Sequence, residues 1–71
     1  MPRYFFHLHS ARPYQDDGGL ELPSDPAAWV EAKRFARDIE SSLEPGEIWH
    51  LVVHRESRPI YSLKICARAI E

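Results

Sequence analysis

The sequence holds one cysteine, Cys66, among 71 residues, which excludes an internal disulfide. No stretch approaches the roughly 18 consecutive apolar residues of a membrane-spanning helix. The opening Met1-Pro2-Arg3-Tyr4-Phe5-Phe6-His7 has neither the apolar run nor the small-residue cleavage site of a signal peptide. No membrane partner and a cytoplasmic address are therefore expected. There is no Lys/Arg block, and the formal net charge is −2, so a strong electrostatic grip on nucleic-acid phosphates is disfavoured. Walker and Rossmann glycine patterns are missing, and Gly18-Gly19 alone makes no phosphate cradle. A domain this short buries only ~60% of its unfolded surface and has little room for an enclosed substrate pocket. An enzyme is not expected. With no disulfide, oligomerisation or a metal is left as reinforcement for a small core.

What is present reads as one α+β domain spanning residues 1–71. Arg3 to His9 is aromatic and alternates, with Tyr4, Phe6 and Leu8 on one side and Phe5, His7 and His9 on the other, the pattern of a half-buried strand. Residues 10–23 are punctuated by Pro13, Asp16-Asp17-Gly18-Gly19 and Pro23, which mark turns. A short strand over Arg12 to Gln15, pairing back on the first, is expected there, then an extended piece at Leu20 to Leu22.

Ser24 or Asp25 can cap a helix, with Pro26 in its first turn and Pro45-Gly46 at its end. Ala28, Ala32, Phe35, Ala36, Ile39 and Leu43 form its apolar stripe, Trp29 flanks the stripe, and Val30 stands opposite it. The chain closes with a hairpin over Ile48 to His54 and Ile60 to Ile65, turning through Arg55-Glu56-Ser57-Arg58. Trp49, Leu51, Val53, Tyr61, Leu63 and Ile65 take the inner face, leaving His50, Val52, His54, Ile60, Ser62 and Lys64 outside. The fold is thus a small ββαββ domain, one amphipathic helix packed on one face of a three- to four-stranded sheet. If strands one and three are neighbours, a parallel pair with a right-handed helical crossover is expected.

Met1-Pro2-Arg3-Tyr4-Phe5-Phe6, Asp16-Asp17-Gly18 and Glu21-Leu22-Pro23 before an Ala-rich helix resemble a family of short bacterial proteins of unknown function. That family opens M-P-R-Y-F-F and carries D-x-E-G-x-E-L-P-D. Ala27-Ala28, Glu31-Ala32, Trp49 and Leu51 to Val53 match its helix start and third strand. Ser24 stands where the family usually has Asp, which preserves capping. Ser57 stands where its last hairpin usually has Gly. The resemblance implies a fold and a bacterial origin and brings no activity with it.

Candidate functional residues gather on the face away from the helix. Phe5, Val52 and Ile60 lie among His7, His9, His50 and His54 there, and an apolar cluster on an open face of so small a domain suggests a partner. The leading reading is a non-enzymatic interaction module that forms a homodimer or binds another protein through that face or a strand edge. The alternative is a metal-binding protein, with a transition metal such as zinc on His7 and His9, whose imidazoles would stand about 7 Å apart by strand rise. A weaker alternative is an antitoxin-like regulator touching nucleic acid as a dimer, by analogy of fold alone. Protonating all four histidines would carry the formal charge from −2 to +2. Asp16, Asp17 and Glu21 lack EF-hand spacing, and turn chemistry explains the aspartates. Cys66 reads as a small hydrophobe, since no orienting Asn or Asp accompanies it.

Overall fold

A computed structural model describes residues 1–11 and 13–70. The elements follow the order β1 (Arg3–His9), β2 (Leu20–Glu21), α1 (Asp25–Ser42), β3 (Ile48–Arg55) and β4 (Arg58–Cys66). They build a four-stranded sheet in the order β2-β1-β3-β4, antiparallel throughout.

The helix forms where local chemistry places it. Ser24 is the N-cap, and its hydroxyl accepts from the Ala27 N–H at 3.3 Å, satisfying one of the unpaired donors at a helix start. Leu43, in an extended conformation, closes the helix just before Pro45, so Gly46 (φ +92°) serves the turn into β3 instead of capping the helix. Ala28 and Ala32 are fully buried, and these small residues let α1 settle on the sheet. Val30 is half exposed, as its position opposite the stripe requires. Phe35 departs from the expected stripe. It remains 41% exposed, with its ring 5.1 Å from Phe6, because α1 lies over β3 and β4 and leaves the β1 flank of the inner face partly open.

The core is Tyr4, Phe6, Ala28, Ala32, Leu51 and Val53, supported by Leu8, Leu22, Trp29, Ile60, Tyr61 and Leu63. Alternation along β1 and β3 assigns the buried faces as expected. Tyr4 also ties three elements together. Its hydroxyl donates to Asp25 Oδ1 at 2.7 Å, and Arg55 donates to Asp25 Oδ2 at 2.7 Å. Burial pushes the Tyr4 phenol up, and the Asp25 carboxylate adds to this. The Tyr4 hydrogen bond holds the Asp25 carboxyl below its ordinary value, with Arg55 assisting against partial desolvation.

Strands one and three are neighbours but run antiparallel, which corrects the expected crossover. By Leu20 the chain is back beside Tyr4, so α1 begins beside the start of β1, where Asp25 meets Tyr4. The helix then runs in the direction of β1 and delivers the chain to its far end, where His9 faces His50. From there β3 can only return antiparallel.

The return segment itself is nearly irregular. Tyr14 forms an isolated bridge with Leu8 where a strand over residues 12–15 was expected, and Arg12 lies outside the described residues. The sheet's second strand is instead the two-residue Leu20–Glu21. Asp16 plugs the gap between them. One of its carboxylate oxygens accepts from the Phe6 N–H at 3.2 Å and the other from the Gly19 N–H at 3.0 Å. Both oxygens are thus spent on local backbone N–H groups, the turn role expected of Asp16.

A second correction concerns Ile60. The β3–β4 register shifts at Val53/His54, so that Val53 faces Tyr61 while His54 faces Pro59. Ile60 is the extra residue of this bulge, and its side chain packs against the core cluster instead of joining the outer face. At the hairpin tip Glu56 takes a positive φ of 55°, one position before Ser57. Its N–H donates to the Arg3 carbonyl at 2.8 Å and its carboxylate accepts from the Arg3 N–H at 3.2 Å.

Candidate functional site

Antiparallel pairing of β1 with β3 brings the outer-face residues together. Phe5 faces His54, His7 faces Val52, and His9 faces His50. Beyond them on β4, Ser62 faces Val52 and Lys64 faces His50. All four histidines therefore share one patch on two adjacent strands. The His7 and His54 rings meet on the diagonal, with centroids 4.9 Å apart, while Phe5 lies parallel to His7 at 6.4 Å. Of the predicted face residues only Ile60 is missing.

The loop after β1 turns this patch into a surface cleft of about 360 Å³, with His7, His9 and His54 on its floor and Pro13, Tyr14 and Gln15 along one wall. The wall was not foreseen, because a strand was expected there and nothing local signals that Tyr14 would be 60% exposed. His7 Nδ1 accepts from the Asp16 N–H at 3.1 Å, which ties the ring to the loop after β1. A neighbouring apolar groove of about 190 Å³ opens between Phe6, Leu8 and Tyr14 on one side and Phe35 and Ile39 on the other.

Among the described residues, no three His, Cys, Asp or Glu side chains are grouped so that they could hold a metal ion. His7 and His9 remain a two-imidazole set, and one nitrogen of His7 is already engaged. Glu21, the carboxylate that β2 places opposite Arg3, is spent on the Arg3 guanidinium at 2.7 Å. The patch is thus rich in groups that gain positive charge and poor in carboxylates to balance them.

Desolvation lowers the His54 pKa below its ordinary value, and the nearby His7 and His9 lower it further. The folded state therefore resists protonating His54 while the unfolded chain does not. This contribution to stability is complete above about pH 6.5, the unperturbed value, and drains away as the pH falls toward the depressed folded value. Urea midpoints should decline from neutral to mildly acidic pH, and His54→Asn should flatten the decline. An equal slope in the variant would remove His54 as its source.

An open antiparallel sheet with one helix on one face and a histidine-rich patch on the other defines a small α+β domain. The chain belongs to the DUF6894 family, a domain of unknown function, whose profile matches residues 3–66. No curated protein and no solved structure matches it. Among the described residues no helix is long and apolar enough to cross a membrane.

Proposed function

We propose that this domain is a non-enzymatic interaction module whose outer sheet face receives a segment of another protein bearing carboxylates beside apolar side chains. The observation that supports this reading is the gathering of His7, His9, His50 and His54 around Phe5 and Val52 on adjacent strands. Half-buried Phe5 and Val52 offer apolar area, and the imidazoles with Lys64 offer donors to acidic groups. A second copy laid face to face would set imidazoles against imidazoles, so the face suits an unlike partner.

The test is an NMR titration of the labelled protein with a synthetic peptide of alternating Glu and Leu, beside a Lys/Leu peptide of equal length. The acidic peptide should shift the amides of Phe5, His7, His9 and His54, more strongly at mildly acidic pH, and the basic one should not. Val52→Asp, and His50→Glu at an exposed position, should weaken binding at least about tenfold with the far-UV CD spectrum retained. Shifts of equal size with both peptides, or none with either, would sink the reading.

A further inference from the structure

The two edges of the sheet are finished differently. The β1 side is closed by the Tyr14 bridge, the Asp16 carboxylate on the Phe6 N–H, and the two-residue β2. Pro13 and Pro23 flank that side. On the other side β4 runs nine residues, and among the described residues β3 is its one strand neighbour. Between Pro59 and Cys66 it carries one charge, Lys64. Long edges of this kind are templates for another strand.

The hydrogen-bond parity shows which backbone groups that edge presents. Ala67, just past β4, donates to the Glu47 carbonyl at 3.1 Å and accepts from the Gly46 N–H at 2.7 Å, so its peptide groups point toward the β3 side. Alternation along an antiparallel strand then turns Leu63 and Ile65 toward β3 and leaves Ser62, Lys64 and Cys66 directed off the sheet. The opposite side of the sheet gives the same answer. Leu8 exchanges both bonds with Tyr14, and the Arg3 carbonyl accepts from Glu56, so β1 shows its odd residues to β3. By alternation β3 shows its odd residues to β4, which makes Leu51/Leu63 and Trp49/Ile65 the bonded pairs of the observed register.

We propose that a second copy of this chain pairs antiparallel along β4 about a two-fold axis, joining two sheets into one of eight strands. This surface is the backbone edge of β4, and it adjoins the outer face where Ser62 and Lys64 stand beside Val52 and His50. A second copy fits because its edge has the same parity and the same unpaired groups. Pairing centred on Leu63 sets Ser62 opposite the second copy's Lys64, and Lys64 opposite its Ser62. The two pairs can exchange four backbone hydrogen bonds, and the lysines do not face each other. On the inner face Leu63 meets the second copy's Leu63, and Tyr61 meets its Ile65. Tyr61, Leu63 and Ile65 are only half-buried here, whereas Leu51 and Val53 beside them are buried. A second strand would cover the exposed sides of these half-buried residues at the edge of β4.

Light scattering after gel filtration, combined with amide hydrogen exchange, tests this directly. The expected result is a dimer in which the Ser62 and Lys64 amides exchange as slowly as those of Leu63 and Ile65. Ser62→Pro removes an N–H that points off the sheet and places a ring on the edge, where proline is tolerated. It should yield a monomer with the CD spectrum of the parent. A monomer at millimolar concentration overturns the proposal while leaving the outer-face reading to its own titration. A dimer whose Ser62 and Lys64 amides exchange fast also overturns it, and loss of that dimer in Val52→Asp would move self-association to the outer face.

Discussion

Phe6→Ala is expected to leave a substantial fraction of the protein unfolded at room temperature. Phe6 is 3% exposed and lies in the core cluster, with the Phe35 ring of the helix tilted against it at 38°. Truncating a buried phenylalanine costs about 3–5 kcal/mol, because the contacts vanish and the surroundings only partly collapse into the space. A chain of 71 residues has a total stability of about 4–10 kcal/mol by the usual per-residue range. The loss is therefore comparable to the whole margin. Adjacent open space sharpens the effect, since the groove beside Phe35 and Tyr14 would merge with the new cavity and admit water. Urea titration followed by the fluorescence of Trp29 and Trp49 measures it. A loss under about 0.5 kcal/mol, the range of ordinary surface substitutions, would mean that β1 is not central to the core.

Gly19→Ala should be nearly as damaging although it only adds a methyl group. Gly19 has a φ of +71°, and a Cβ there would lie 2.7 Å from Arg3 Cγ and 2.8 Å from Phe5 Cε2. The left-handed backbone alone costs about 1–2 kcal/mol for a residue with a Cβ. The clash adds to this, because Arg3 cannot simply swing away. Its guanidinium is held by the Gly18 carbonyl at 2.8 Å and by Glu21 at 2.7 Å. Gly18 next door has nothing within 4 Å of its Cβ position and no positive φ, so Gly18→Ala is the matched control. Equal urea midpoints for the two variants would show that the loop relaxes freely and does not clamp the β1 edge.

Elements governed by neighbours along the chain are legible in the sequence. The helix is the clearest case, since the Ser24 cap, Pro26 and the small-residue stripe act within a few residues of one another. The inner and outer faces of β1 and β3 follow from a period of two, and the fold keeps them. What failed depends on distant events. The direction of β3 relative to β1 is decided by the return of the chain to Tyr4 at Leu20, before the helix, and turn residues in the sequence give no net heading. The displacement of Ile60 comes from one inserted residue in the β3–β4 ladder, and a single unpaired position leaves no trace in an alternating pattern. Phe35 fits the stripe by spacing, yet the helix sits to one side of the sheet and leaves it over open space. The Tyr4–Asp25–Arg55 group joins residues 21 and 30 positions apart, beyond the reach of any local motif. The histidine patch was half legible, since parity placed each ring on the outer face but only strand order could make neighbours of His7 and His54.

The unequal finishing of the two sheet edges also limits how far association can proceed. A sheet bare on both sides is a link, able to accept a neighbour at each end and to grow without a natural stopping point. Here Asp16, the Tyr14 bridge and the stub of β2 remove one of those ends. What remains is a terminus, and two termini that meet consume each other. Pairing through β4 is thus self-limiting, and its product is a closed pair instead of a filament.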